Sequence, residues 1–172
     1  MPHFIIRPAV TADLSKFADI EEAAAIRFRE LDISAPEGLE DITIEEYQSF
    51  KINFVAVQQS DNTVCGFVAV NTKDQQAYIE EISVHPNAGR QGVGRRLMES
   101  AIEWAKASGY QSIYLTTYRD VPFNAPFYQK LGFVEATPET LGPDMAKTRK
   151  SEQERGFDQR PRIAMCLSLR DN

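Results

Sequence analysis

The chain has 172 residues, a hydrophobic fraction of 42% and a formal net charge of −6. This length and composition are typical of one soluble domain with a substantial core, so we expect residues 1–172 to form a single domain. The acidic balance excludes a sequence-independent nucleic-acid-binding protein, because such proteins need clustered Lys and Arg to displace counterions from phosphates.

No N-terminal apolar stretch resembles a signal peptide, and none approaches the length of a membrane span, so we expect a cytoplasmic protein. Cys65 and Cys166 each lie in an apolar, strand-like run, which is typical of buried thiols. His3 and His85 are the only histidines. No His and Cys cluster has metal-ligand spacing, so no metal site is expected.

The first half of the chain predicts a strand, a long helix, a loop, a short helix and two strands of a hairpin. These are Phe4–Arg7, Leu14–Leu31, Ser34–Asp41, Thr43–Phe50, Asn53–Gln58 and Val64–Asn71. Thr11–Asp13 is an N-cap signal, and apolar residues recur at helical spacing after it. Asp61 and Asn62 predict the turn of the hairpin.

The second half predicts four strands, the helix that follows the first of them, and an inserted charged helix. These are Tyr78–Val84, Gly94–Ser108, Ser112–Thr116, Phe133–Ala136, Gly142–Gly156 and Arg162–Leu169. Ser112–Thr116 is expected to run parallel to Tyr78–Val84 after a right-handed crossover helix that Gly109 ends. We expect the inserted helix to be exposed and solvated, with a contact in a homodimer as its alternative role.

The stretch Ala77–Met98 is a strand that runs into a glycine-rich turn and then into a helix. Gly89, Gly92 and Gly94 let the backbone approach a ligand closely, and the N–H groups of the first helical turn can hold a diphosphate. A Walker loop would need Lys and Ser or Thr after Gly94, and a Rossmann fingerprint would need a glycine at Leu97. Both are excluded.

This stretch resembles the acetyl-CoA signature of the GNAT N-acetyltransferase superfamily. Pro122–Phe133 resembles the segment of the same family that contains Asn, Phe-Tyr and Leu-Gly-Phe. The resemblance implies an α/β fold: a mixed, mostly antiparallel sheet of about seven strands flanked by helices, here with an extra helix before the last strand. It also implies acetyl-CoA as cosubstrate. Two departures are that Gly89 stands at the usual Gln/Arg position and that Asn124 lies closer than usual to Tyr128.

The resemblance assigns cofactor binding to the end of the strand, the glycine turn and the downstream segment. The residues are Ile82, Ser83, Val84, Gly89, Arg90, Gln91, Gly92, Val93, Gly94, Arg95, Asn124 and Tyr128. Backbone N–H groups near Ile82–Val84 are expected to polarise the thioester carbonyl. Asn124 either binds the pantetheine arm or caps a helix.

Glu80 and Glu81 carry the predicted acceptor chemistry. An alkylamine has a pKa near ~10 and must lose a proton before attack, which a carboxylate can accept. The strand resembles that of diamine and polyamine N-acetyltransferases. We expect Glu80 to be the base, and Glu81 to anchor the amine or to face outward. The alternative is two surface carboxylates. Phe28 and Tyr78 are further predicted substrate-binding residues, and Ile26–Phe50 is expected to cover the acceptor pocket.

Tyr128 is the predicted acid that protonates the CoA thiolate, with a core aromatic as the alternative. No Cys-His or Ser-His-Asp set is in view, so we expect direct attack in a ternary complex. The expected activity is N-acetylation of a primary amine of a small molecule, such as a diamine or polyamine. The alternatives are a protein or peptide N-acetyltransferase, an aminoglycoside-type enzyme and an acetyl-CoA-sensing module.

Overall fold

Seven strands form one mixed sheet in the computed structural model, which describes residues 3–170. They are β1 (Phe4–Pro8), β2 (Ile52–Gln58), β3 (Val64–Lys73), β4 (Gln76–Val84), β5 (Ser112–Tyr118), β6 (Val134–Ala136) and β7 (Arg162–Ser168). Their order across the sheet is β1-β2-β3-β4-β5-β7-β6. β4 and β5 pair in parallel at Ala77 and Tyr78, whereas β1/β2, β2/β3, β5/β7 and β6/β7 are antiparallel. The predicted α/β class and mixed, mostly antiparallel sheet are confirmed.

The helices among the described residues are α1 (Thr11–Leu14), α2 (Phe17–Ala24), α3 (Ile26–Arg29), α4 (Ile44–Ser49), α5 (Val93–Ala107), α6 (Ala125–Gln129) and α7 (Pro143–Glu154). The short helix after Thr43, the helix after the glycine turn and the inserted helix are therefore confirmed. Thr43 is the N-cap of α4 and accepts a hydrogen bond from the N–H of Glu46. Gly109, with φ of +82°, follows the end of α5.

The prediction of one long helix from Leu14 to Leu31 is wrong, because the segment is divided among α1, α2 and α3. The N-cap of α1 is Val10, whose N–H donates to the Asp13 carboxylate at 2.8 Å, and Arg7 holds the same carboxylate at 2.7 Å. This local capping closes a single turn before α2 begins. Between α2 and α3, the carbonyl of Ala25 accepts from the N–H groups of both Phe28 and Arg29. Such shared bonds tighten the helix there.

The described chain divides into two compact units. The first consists of residues 3–34, Glu40–Asn71 and Glu80–Trp104, and the second of Ala35–Leu39, Thr72–Ile79 and residues 105–170.

The first unit has an aromatic core on one face of β2 and β3. Phe17 of α2 stacks on Phe67 of β3 with ring centroids 3.8 Å apart, and Tyr47 of α4 meets both rings edge-on. Val55 and Ala69 belong to the same buried cluster. Burial of each large apolar side chain contributes roughly 1.5–3 kcal/mol, so this cluster holds α2 and α4 on the sheet.

Within the first unit, Gly66 of β3 lets helix α5 pack closely on the sheet. A Cβ atom at this position would lie 3.3 Å from side-chain atoms of Leu97 and Val84, and 3.1 Å from the carbonyl oxygen of Ser83. A side chain here would push these neighbours apart by a few tenths of an ångström, so glycine favours the close packing of α5 against the end of β4.

The second unit is built on β5 and β7, which pair along their whole length. Tyr78, Met145 and Ala164 form a buried cluster beneath α7. The Asp74 carboxylate accepts the N–H groups of Asp144 and Met145, each at 2.9 Å, and so caps the start of α7. The inserted helix is therefore fixed at one face, although most of its charged side chains are exposed, as expected.

An ionic network also holds α7. Glu152 accepts the hydroxyl of Thr116 at 2.5 Å and pairs with Arg149 at 2.6 Å and Arg162 at 3.3 Å. The three charged side chains are only 12–19% exposed. Charge runs in the sequence do not reveal this network, because its partners come from a helix and two strands.

The cysteine prediction is half right. Cys65 is buried, whereas Cys166 is only half-buried.

Candidate active site

The loop between β4 and α5 has two residues in the left-handed region of backbone conformation. Gly92 has φ of +79°, and Arg90 also lies in the left-handed region with φ of +59°. A Cβ atom at Gly92 would meet nothing within 4 Å, so the space beside this glycine is open. Gly89 differs from expectation: its φ is −64°, and a Cβ atom there would lie 3.0 Å from the Pro86 carbonyl oxygen, so this glycine fits against its own turn.

The start of α5 suits an anion. Its first internal bond runs from the N–H of Arg96 to the carbonyl of Gly92 at 3.1 Å. The preceding N–H groups, which include those of Val93, Gly94 and Arg95, have no earlier helical turn to donate to. The first turn contains no acidic residue. The helix dipole and these donors therefore favour an anion at this end of α5.

Glu80 lies on the face of the sheet that α2 and α4 cover. Phe67, Ala69 and Asn71 alternate along β3, and the first two belong to the aromatic core. Because alternate residues share a face, Asn71 continues that face beyond the core. The Asn71 amide donates to the Glu80 carboxylate at 3.1 Å, which brings Glu80 to the same side.

Glu81 has a different partner. Its carboxylate accepts the hydroxyl of Ser83 at 2.9 Å, and Ser83 is itself buried. The two carboxylates of β4 are thus held by separate side chains.

A carboxylate and a phenol meet between α2 and α4. The Tyr47 hydroxyl donates a very short hydrogen bond to the Glu21 carboxylate. Burial raises the pKa of Tyr47, and the charges of Glu21 and Glu81 raise it further. Burial also raises the pKa of Glu21, against the lowering effect of the Tyr47 bond. Tyr47 lies in the expected acceptor-pocket region, Ile26–Phe50, and its partner Glu21, which precedes that region, is a half-buried carboxylate that sequence reasoning missed.

Arg27 of helix α3 interacts electrostatically with Arg90 of the glycine loop. Burial lowers the pKa of Arg27, and the neighbouring charge of Arg90 lowers it further. Phe28, one of the predicted substrate-binding residues, is half-buried on this helix.

Asn124 and Tyr128 come together at α6 in the second unit. Asn124 is 8% exposed and makes no side-chain capping bond; its carbonyl accepts from the N–H groups of Phe127 and Tyr128. The side chain is thus not the helix cap considered above. Tyr128 is 7% exposed, and its ring contacts Phe127 and Phe133 at centroid distances of 5.1 and 5.9 Å.

Tyr78, which is one of the predicted substrate-binding residues, is almost fully buried. It is 4% exposed, its hydroxyl lies 3.4 Å from that of Thr116, and the Lys73 ammonium lies 4.6 Å from its ring centre.

The described part of the chain offers neither a metal site nor a membrane span. Among residues 3–170, no three His, Cys, Asp or Glu side chains converge in a way that could hold a metal ion. Across the same residues, every helix is too short or too polar to span a bilayer.

A strand that ends in a glycine loop and feeds a helix N-terminus is an anion-binding arrangement. The chain belongs to the acetyltransferase (GNAT) family, whose model matches residues 18–133. Membership of this family confirms the resemblance drawn from Ala77–Met98 and Pro122–Phe133.

Individual relatives share limited sequence identity with the chain. The chain is 30% identical over 95 residues to an IAA acetyltransferase from Azospirillum brasilense, and the match covers 54% of this chain and 62% of that protein. The chain thus spans less than two thirds of this curated relative.

Two solved structures share the fold. The ribosomal-protein-S18-alanine N-acetyltransferase from Escherichia coli superposes with a TM-score of 0.66 at 21% identity, covering 98% of this chain and 96% of that one. The N-acetylglutamate synthase from Neisseria gonorrhoeae, solved with coenzyme A and N-acetyl-glutamate, superposes with a TM-score of 0.71 at 18% identity, covering 98% and 35%.

Proposed function

We propose that this chain is an acetyl-CoA-dependent N-acetyltransferase that acts on a primary amine of a small molecule, with diamines or polyamines as the preferred acceptors. The observation that carries the proposal is the continuous element from Glu80 on β4 through the left-handed Gly92 to the acid-free first turn of α5. This element supplies an anion site and a carboxylate on one rigid support.

The cofactor is proposed to bind along the end of β4 and the loop. The diphosphate rests on the N–H groups between Gly89 and Arg95, with Arg90 and Gln91 beside it. The N–H groups of Ile82–Val84 polarise the thioester carbonyl. Relatives of the fold solved with CoA support this choice of cosubstrate.

Glu80 is the proposed base. Its carboxylate is hydrogen-bonded by Asn71 on the face that α2 and α4 cover, and that helical region is where we expect the acceptor. The amine loses a proton to Glu80, directly or through water, and its nitrogen attacks the thioester carbonyl carbon. Glu81 is proposed to anchor the amine electrostatically.

Tyr128 is the proposed acid. As the carbon–sulfur bond of the tetrahedral intermediate breaks, the CoA thiolate takes the phenolic proton. A phenol of pKa about 10 can protonate an alkyl thiolate, whose thiol has a pKa of about 8.5, once that thiolate has begun to form. Direct transfer in a ternary complex needs no covalent enzyme intermediate.

The test is the release of free CoA thiol from acetyl-CoA in the presence of a panel of amines. The panel contains putrescine, spermidine, butylamine, a peptide with a free N-terminus, a lysine peptide and an aminoglycoside. Fastest release with putrescine or spermidine supports the proposal. Faster release with a peptide or aminoglycoside would reassign the acceptor, and acetyl-CoA binding without release for any amine would indicate a sensing module.

A further inference from the structure

Glu21 is a half-buried carboxylate for which the proposed mechanism has no use. It lies one turn after Phe17 on α2, beside the fully buried Ile20. Among residues 3–170 it has no cationic partner, whereas its exposed neighbour Glu22 pairs with Arg29 at 2.6 Å. A carboxylate withdrawn from water without a counter-charge is unfavourable, so it favours a cation that can reach it.

Tyr47 fixes the position of this carboxylate. Tyr47 is 1% exposed and is enclosed by the rings of Phe17, Phe50 and Phe67, which hold its ring in place. That hydroxyl donates to Glu21. A hydroxyl donor holds a carboxylate without neutralising it, which leaves the negative charge for a ligand.

The surroundings of the pair are negative. The nearby charge of Asp41 adds to burial in raising the pKa of Glu21, and Glu81 acts on the pKa of Tyr47 in the same sense. In the same unit, residues 19–34 and 40–46 hold nine carboxylates and only two guanidinium groups. This concentration of like charge attracts cationic molecules to the helices that cover the sheet.

Glu21 and Glu80 are each hydrogen-bonded by a residue that is connected to the aromatic core. Phe67 packs against Tyr47, and Asn71, four residues further along the same face of β3, donates to Glu80. We propose that Glu21, oriented by Tyr47, is a specificity residue that holds a second ammonium group of the acceptor while Glu80 meets the reacting amine. This inference rests on the proposed function and names the acceptor class as dicationic.

The test compares putrescine with butylamine, which have the same chain length and differ by one ammonium group. We expect wild-type kcat/KM to favour putrescine by at least about tenfold, which is the lower end of the coupling found for close charge pairs. Glu21→Gln is expected to abolish that preference through a higher KM for putrescine, with kcat/KM for butylamine unchanged within about twofold. The matched control Glu22→Gln removes an exposed carboxylate from the same helix and is expected to keep the preference.

Tyr47→Phe separates a specific role from a structural one. It leaves the Glu21 charge in place but removes its donor, so the preference is expected to fall partway while butylamine turnover persists. Should Glu21→Gln fail to fold, judged by circular dichroism and melting, the inference is decided by Tyr47→Phe. The deciding quantity is then its ratio of kcat/KM for putrescine to kcat/KM for butylamine. An equal loss of kcat/KM for both amines in the variant, or no preference for putrescine in the wild type, overturns the inference.

Calorimetry of putrescine with the CoA-bound protein distinguishes this inference from the proposed function. If no amine is acetylated but putrescine binding depends on Glu21, the enzymatic proposal fails and the receptor role of Glu21 stands. If amines are acetylated and putrescine binding is the same in wild type and Glu21→Gln, the receptor role fails alone.

Discussion

Gly92 offers the sharpest test of the proposed cofactor site. Its φ of +79° is a conformation that an L-residue adopts at a cost of about 1–2 kcal/mol, but a Cβ atom there would meet nothing within 4 Å. Gly92→Ala should therefore destabilise the protein by roughly 1 kcal/mol, or about 2–4 °C in Tm, without a clash inside the chain. Any loss of acetyl-CoA affinity in the folded variant must therefore come from a ligand that approaches the same space.

Gly109 provides the matched control. It follows the other end of α5, has φ of +82° and also has nothing within 4 Å of a Cβ position. Gly109→Ala should lower Tm by a similar amount. Isothermal calorimetry should show acetyl-CoA binding weakened at least tenfold, about 1.4 kcal/mol, by Gly92→Ala and unchanged by Gly109→Ala.

The β-branched variant Gly92→Val should weaken binding further. Equal affinities of folded Gly92→Ala and wild type, or equal losses in Gly92→Ala and Gly109→Ala, would refute the diphosphate site at this loop.

Three other variants test the proposed chemistry and the fold. Tyr128→Phe should lower turnover about 10²-fold with little change in acetyl-CoA affinity, and an unchanged rate and alkaline pH limb would reduce Tyr128 to a packing residue. Glu80→Gln should lower kcat/KM most at neutral pH and recover partly at high pH, where the amine is already free; a variant silent at every pH would exclude Glu80 as base. Asp13→Asn should destabilise the fold by about 1 kcal/mol at neutral pH. The Arg7 hydrogen bond lowers the pKa of Asp13, so this contribution is present above the unfolded pKa of about 3.9 and is lost as pH falls through the lower folded value. Urea unfolding should show a difference in the free energy of unfolding between wild type and Asp13→Asn at neutral pH that disappears near pH 2. A difference that stays constant would contradict this role of Asp13.

The sheet and the cofactor loop were predictable because their signals are local. Continuous runs of β-branched and other apolar residues mark β2 and β3, and the glycine spacing between Gly89 and Gly94 marks the start of α5 within a residue. The division of the long N-terminal helix was not predictable, because the Arg7–Asp13 pair that closes α1 joins residues on either side of Pro8.

The acceptor side was harder to predict because its contacts are tertiary. Tyr47 and Glu21 are 26 residues apart, and no periodicity in the sequence indicates that they meet. A polar residue one turn after Phe17 on a buried helical face was the available signal. The same holds for Asp74, which caps α7 from 70 residues away.

The most direct test of the proposed reaction is the rate of CoA thiol release from acetyl-CoA with putrescine, measured for wild type and Glu80→Gln at neutral pH. Amine acetylation with Glu80 as base predicts release that depends on putrescine, is matched by one acetylated amine per CoA, and falls steeply in the variant. Release that is the same without putrescine, or the same in the variant, would contradict amine acetylation at this site.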